Sequence, residues 1–335
     1  MSLDVLTPVA PRRRRRRRYR ARRIALLVLV VLAAAAAGVW YGRRAAAKTP
    51  HHPVAAPRLQ TKAPATKTVP HSTATVRQKP PRLLYGTPLL AGAHVRVRAP
   101  AAILVDADTG RVLWAERAHE RRKIASLTKI MTATLALKEV PWKSTVRVAH
   151  SATAVPLVRE GLRTGEEVKA WKLFYSLLLY SGNDDAQQLA ISSAGSVHGF
   201  LRQMNAEAKA LGLHDTHYTS PSGVRDRGNY STAWDLAALT RYAFRDPRFD
   251  QLVRTRRIQV RWSAPTNSKI YLNNNALLSE YTGANGVKTG YTHEAGWCLV
   301  AAATRHGRRL IAVVLDSPNL DADATRLLNL GFSRG

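Results

Sequence analysis

The chain has 335 residues, a formal net charge of +30 and one cysteine, Cys298. One cysteine excludes an intramolecular disulfide framework. Residues 1–100 carry 21 Lys or Arg against the single acid Asp4, and residues 101–335 carry 31 against 21 acids, so the basic excess belongs mostly to the N-terminal third.

Arg12 to Arg18 is an unbroken basic run, extended by Arg20, Arg22 and Arg23. Ile24 to Tyr41 follows without a charge, long enough for a short membrane span. Trp40 and Tyr41 close it, as aromatic residues do at a membrane interface. Residues 1–23 are therefore expected as a basic cytoplasmic tail and 24–41 as a transmembrane signal-anchor, with the later chain outside the cell membrane. An arginine run could also serve nucleic acid. The adjacent apolar span favours a membrane address, and no nucleic-acid partner is expected. Arg43 and Arg44 separate the span from Ala45-Ala46-Ala47, which argues for an uncleaved anchor. Cleavage near Ala47 would instead release a secreted form. Residues 42–97 are rich in Pro, Thr and Lys, carry no acid, and are expected to form a disordered tether.

Residues 98–332 can bury one sizeable core. Ala101 to Val105, the turn Asp106-Ala107-Asp108-Thr109-Gly110, and Arg111 to Ala115 predict a hairpin. A helix is expected from Ser126, a good N-cap type, to about Lys138, with Pro141 ending it. Residues 168–180 read as a buried helix. Ala186 to Ala194 and Val197 to Leu211 read as helices, the second stopped by Gly212. Ser231 is placed to cap a helix from Trp234 to Phe244. Trp297 to Thr304, the turn Arg305-His306-Gly307 and Leu310 to Leu315 predict a second hairpin, and Asp321 to Leu330 a closing helix. Strands at both ends with helices between suggest a sheet assembled from both termini. Cys298, between Trp297 and Leu299, reads as a buried strand thiol. Trp171, Trp234 and Trp262 read as core or rim residues.

Three short motifs carry the chemistry. In Ser126-Leu127-Thr128-Lys129 the serine and lysine share a helix face. The lysine amine can there take the hydroxyl proton, which a serine nucleophile needs at neutral pH. Ser181-Gly182-Asn183 follows the apolar run Leu173 to Tyr180. Lys288-Thr289-Gly290 follows the turn Gly283-Ala284-Asn285-Gly286. Ser-x-x-Lys, Ser-x-Asn and Lys-Thr-Gly in this order form the signature of penicillin-binding proteins and class A β-lactamases. Asp184 and Asp185 read as caps on the helix that follows. The histidines form no ligand-spaced cluster with acids, so no metal and no cofactor is expected.

With these motifs in place, residues 98–332 resemble the serine-type D-alanyl-D-alanine carboxypeptidases, the low-molecular-mass penicillin-binding proteins. Ala125 to Thr132 is similar to that family's nucleophile helix, Leu179 to Ala186 to its second motif, and Gly286 to Thr292 to its third. Ser220-Pro221-Ser222-Gly223 resembles its Pro-x-Gly segment. The resemblance implies an α+β, β-lactamase/DD-peptidase-like fold: an antiparallel sheet flanked by helices plus a mostly helical lobe, with the active site between them. It implies that Ser126 attacks the penultimate D-alanine carbonyl of a peptidoglycan stem peptide, Lys129 takes its proton and Ser181 relays one. It further implies that Asn183 binds the substrate amide, that Lys288 and Thr289 bind the terminal carboxylate, and that Gly290 lies among the oxyanion and substrate-binding residues. The backbone N–H groups of Ser126 and Tyr291 would form the oxyanion hole. β-Lactams would acylate Ser126. A DD-endopeptidase cutting crosslinks, or an inactive membrane-tethered wall-binding protein, are the alternatives.

One departure and one exclusion stand out. Many relatives carry an arginine a few residues before the last helix that helps anchor the substrate carboxylate; here Pro318-Asn319-Leu320-Asp321 has none, and the next is Arg326. A class A β-lactamase also needs a glutamate to activate the deacylating water. Glu207 and Glu280, the glutamates between Asn183 and Lys288, do not stand in a Glu-x-x-x-Asn context. That argues for a penicillin target rather than a penicillin-destroying enzyme.

Overall fold

The computed structural model describes residues 82–334, apart from 85, 157, 225–226 and 264–266. The expected cytoplasmic tail, the expected membrane span and the tether as far as residue 81 lie outside the described residues. Among the described residues no helix is long and apolar enough to cross a membrane.

The fold starts upstream of the expected boundary at residue 98. Leu83 is buried. Leu84 N donates to Gly110 O at 2.9 Å and Leu90 N to Leu113 O at 2.7 Å. The leucines at 83, 84, 89 and 90 were masked by the basic, Pro-rich composition around them. Strand β1 (Ala101–Asp106) pairs with β2 (Val112–Glu116) in the predicted hairpin. Asp106 Oδ1 holds its turn, accepting from Thr109 N at 2.9 Å and from Thr109 Oγ1 at 2.8 Å.

The expected helix from Ser126 is divided. Ala125–Thr128 is a 3₁₀ turn, and α1 (Lys129–Glu139) begins only after it. Ser126 therefore lies inside the turn and caps nothing; its hydroxyl lies beside Lys129 instead. Next come β3 (Thr145–Arg147), the short helix α2 (His150–Thr153), β4 (Glu167–Lys169) and α3 (Ala170–Tyr175). A π-helical turn, Ser176–Tyr180, ends the buried segment. Ser181 then takes a left-handed conformation (φ +75°), and α4 (Asn183–Ala194) starts three residues before its predicted position. Helix α5 (Val197–Leu211) stops at Gly212 as predicted. Helix α6 (Ala233–Ala243) is capped by Thr232, whose hydroxyl accepts from Asp235 N at 3.0 Å. Ser231, the predicted cap, instead pairs with Thr216 Oγ1 at 2.8 Å.

Helix α7 (Pro247–Arg254) and the hairpin β5 (Arg257–Arg261) and β6 (Ser268–Leu272) were not predicted. Helix α8 (Leu277–Glu280) leads into β7 (Ala284–Thr292), β8 (Gly296–Arg305), β9 (Arg308–Leu315) and α9 (Leu320–Ser333). Both termini contribute to one five-stranded antiparallel sheet, in the order β2-β1-β9-β8-β7. Side chains alternate across it, as the strand period of two requires. Cys298, Val300 and Ala302 enter the core shared with α1, α4 and α6. Leu299, Ala301 and Ala303 enter the core beneath α9. With both faces covered, the inner strands read as nearly unbroken apolar runs. Strand β7 is one edge of the sheet, and its Lys-Thr-Gly segment borders the 3₁₀ turn that carries Ser126.

Candidate active site

Backbone packing fixes the turn that carries Ser126. Ala125 takes a positive φ of 45°. The Ser220–Gly223 loop lies directly against it: a Cβ on Gly223 (φ +77°) would stand 1.8 Å from Ala125 O. Thr128 Oγ1 donates to Ala125 O at 2.8 Å and accepts from Asn229 Nδ2 at 2.9 Å. On the other side a Cβ on Gly290 would stand 2.9 Å from Ser126 N. Only a glycine lets the β7 edge pass so near the serine amide.

Lys129 is fully buried. Its Nζ lies 2.9 Å from Ser126 Oγ, 2.8 Å from Asn183 Oδ1 and 2.8 Å from Ser222 O. Burial, and then repulsion from Lys288, hold this amine well below the usual lysine range; Asp185 and Asp184 oppose the shift. Lys288 is also buried, and burial brings its pKa down to about 7. Its Nζ donates to Thr289 O at 2.9 Å.

The second motif hangs from the π turn. Ser176 O accepts from Ser181 N at 2.8 Å and from Gly182 N at 3.3 Å. Asn183 N donates to Val158 O at 2.9 Å, and Asn183 Nδ2 to Pro156 O at 3.1 Å. Asp184 and Asp185 stand in the first turn of α4, where Asp184 Oδ1 accepts from Asp185 N at 3.2 Å, but the N-cap position itself is Gly182 and has no side-chain cap. Asp184 also accepts from the backbone N–H groups of Glu160, Gly161 and Leu162 at 2.7, 2.8 and 3.1 Å. This ties residues 160–162 to the start of α4.

The structure thus joins Ser126, Lys129 and Asn183 by direct contacts, holds Ser181 in the adjoining turn, and brings Lys288, Thr289 and Gly290 alongside on β7. Tyr291 follows at the rim, 52% exposed, with its ring 4.4 Å from that of Trp297. A cleft of about 280 Å³ opens beside Asn183 and Ser222, lined also by Pro156, Gln187, Pro221 and Val224. Sequence reasoning missed the carbonyl of Ser222 as a partner of Lys129, and Asn229 and Ser176 as supports. Backbone carbonyls leave no mark in a sequence; the Pro-x-Gly resemblance was the one available signal. In the first turn of α9 the buried Asp323 accepts from Arg98 N and Ala99 N at 3.0 Å each, and Arg326 donates to Asp323 at 3.0 Å.

The family of D-alanyl-D-alanine carboxypeptidases matches residues 90–319. A D-alanyl-D-alanine carboxypeptidase of Streptomyces sp. strain K15 is 36% identical over 269 residues, covering 75% of this chain and 92% of its own. The carboxypeptidase DacF of Bacillus subtilis is 34% identical over 245 residues, 70% of this chain; the chain spans 62% of that longer relative. The crystal structure of the Streptomyces K15 DD-transpeptidase matches with a TM-score of 0.68 at 34% identity, covering 72% of this chain and 99% of that one. Fold, motif order and these similarities agree: the chain belongs to the D-alanyl-D-alanine carboxypeptidase family of serine peptidases.

Proposed function

We propose that this protein removes the terminal D-alanine from peptidoglycan stem peptides through an acyl-enzyme on Ser126. The observation that carries this reading is the set of three oxygens around Lys129 Nζ. A neutral amine has two protons and one lone pair. Two protons directed at Asn183 Oδ1 and Ser222 O leave the lone pair facing Ser126 Oγ, so the hydroxyl donates to the amine and is primed to attack.

Ser126 Oγ bonds to the penultimate D-alanine carbonyl carbon while its proton passes to Lys129. The developing oxyanion meets the backbone N–H groups of Ser126 and Tyr291, worth about 2.7–4 kcal/mol per donor in comparable sites. The C–N bond then breaks, and D-alanine departs with the proton relayed from Lys129 through Ser181. Asn183 holds the substrate amide. Lys288 and Thr289 receive the terminal carboxylate, in place of the arginine that is missing before α9. Water hydrolyses the ester and returns a proton to Ser126. β-Lactams acylate the same serine and leave slowly. Residues 24–41 anchor the enzyme in the cell membrane, with the catalytic part outside.

A DD-endopeptidase is the second reading. A Pseudomonas aeruginosa relative of that name is 32% identical and covered over 82% of its length. The chemistry is the same with a larger leaving group.

The test incubates the full-length chain in detergent with a diacetylated L-Lys-D-Ala-D-Ala tripeptide and measures released D-alanine, with Ser126→Ala beside it. Release that vanishes in the variant and is blocked by penicillin is expected. Penicillin labelling of Ser126 without release would favour crosslinked muropeptides as substrate. Absence of both would overturn the enzyme reading. A glycine acceptor in the same assay reports transfer instead of hydrolysis.

A further inference from the structure

Directly beneath Ser181-Gly182-Asn183 lies a buried group of acids that the mechanism does not use. Ser176 Oγ stands 2.5 Å from Asp185 Oδ2 and 2.8 Å from Glu160 Oε2. Glu160 Oε1 pairs with the Lys269 ammonium, which also donates to Glu160 O at 2.6 Å. A Cβ on Gly182 would stand 1.9 Å from Asp185 Oδ2, so the carboxyl lies directly against the centre of the motif turn. Asp185 is completely buried, and among the described residues its Oδ1 has no hydrogen-bond partner.

Counting protons decides the arrangement. A serine hydroxyl has one proton and cannot donate to two carboxylates. Glu160 already faces a cation, so it takes the serine proton as the anion. Asp185 must then bring a proton of its own to the 2.5 Å contact. An ionised Asp185 would leave a buried charge with one oxygen unpaired, which is strongly disfavoured.

We propose that Asp185 is a positioning residue for the Ser181-Gly182-Asn183 turn, held as a neutral acid in a one-way chain from Asp185 O–H to Ser176, from Ser176 O–H to Glu160, and from Glu160 to Lys269. The same Ser176 supplies the carbonyl that accepts from Ser181 N and Gly182 N. One residue thus joins the acid chain to the turn. The groups facing Asp185 are Asp184 on α4, Glu160 in the loop before β4, Lys269 and Tyr271 on β6, and Lys129 on α1. Burial first, then Asp184 and Glu160, push the Asp185 carboxyl well above the ordinary range. The proton also bears on the base. A charged Asp185 would favour the ammonium form of Lys129, and a neutral one leaves the amine free to act.

This deepens the proposed function and rests on it for the activity measurement alone. The test compares full-length wild type, Asp185→Asn and Asp185→Ala in penicillin acylation rate, and in urea stability from about pH 4 to 8, a range starting near the unfolded aspartate pKa. An amide keeps the donor to Ser176, so Asp185→Asn should acylate within about threefold of wild type and Asp185→Ala at least about tenfold slower. A carboxyl with a raised folded pKa contributes stability that is full below about pH 4 and is lost as pH rises toward the folded value. Asparagine lacks that loss, so Asp185→Asn should gain on wild type as pH rises. A variant that loses ground as pH rises, or that stays folded but does not acylate, would overturn the proposal. Should Asp185→Asn not fold, the wild-type infrared spectrum decides. A buried protonated-carboxyl band near neutral pH that moves in Ser176→Ala supports the chain, and its absence overturns it. If wild type itself ignores penicillin, the serine-enzyme reading fails while the stability and infrared results still judge Asp185.

Discussion

Lys129 and Lys288 are two buried amines in one site, and their charges cannot be set independently. Burial lowers both, and Lys288 lowers Lys129 further by repulsion. If Lys129 is the proposed base it must be neutral, so kcat/KM should rise with pH as that amine loses its proton. Lys288→Met keeps most of the side-chain volume and removes the repulsion. The Lys129 pKa should then rise, and the acidic limb of the penicillin acylation profile should move to higher pH, beside any loss of rate. A limb that stays in place, or moves to lower pH, would show that Lys288 does not control the state of the base. The three motif residues Ser126, Lys129 and Asn183 were legible in the sequence because each needs its own side chain. Ser222 was not, because it contributes a carbonyl that any residue could supply.

Elements place these groups by backbone contact, and glycine marks where the contact is closest. Gly223 and Gly195 both have a positive φ, +77° and +71°. A Cβ on Gly195 meets nothing within 4 Å, whereas one on Gly223 would strike Ala125 O at 1.8 Å. Gly195→Ala should therefore cost only its backbone strain, about 1–2 kcal/mol in urea unfolding. Gly223→Ala should cost more, by about 1–3 kcal/mol of overpacking, and should also slow acylation by displacing the turn under Ser126. Equal costs with normal acylation would show that the 220–223 loop does not hold the nucleophile. At this scale the sequence was informative where periodicity and punctuation agree, as in β8, β9 and α5 with its stop at Gly212. It was silent on the division of the Ser126 helix into a 3₁₀ turn and α1. That break comes from tertiary contacts with Gly223 and Gly290. It was silent on β5 and β6 as well, where Arg257, Arg261 and Lys269 dilute a strand pattern that buries only Val260 and Tyr271.

For the whole molecule the unequal division of charge matters most. Twenty of the +30 net charges fall before residue 101, next to an uncharged stretch of eighteen residues. Two physical causes could hold such a chain at a membrane, and they respond differently to salt. Arginine attraction to anionic lipid acts over about 8–10 Å at physiological ionic strength and shrinks to about 3 Å at 1 M. Burial of an apolar span does not weaken in salt; kosmotropic salts strengthen it. If residues 24–41 form the proposed anchor, the full-length protein should stay in the membrane pellet through washes at about 1 M salt and be released only by detergent. Deletion of residues 24–41 with the arginine run kept should give a protein that binds at low salt and washes off at high salt. Release of the intact chain by salt alone would assign the attachment to the arginines and remove the anchor from the proposal. Retention of the deletion variant at high salt would place the membrane contact in the part of the chain after residue 41.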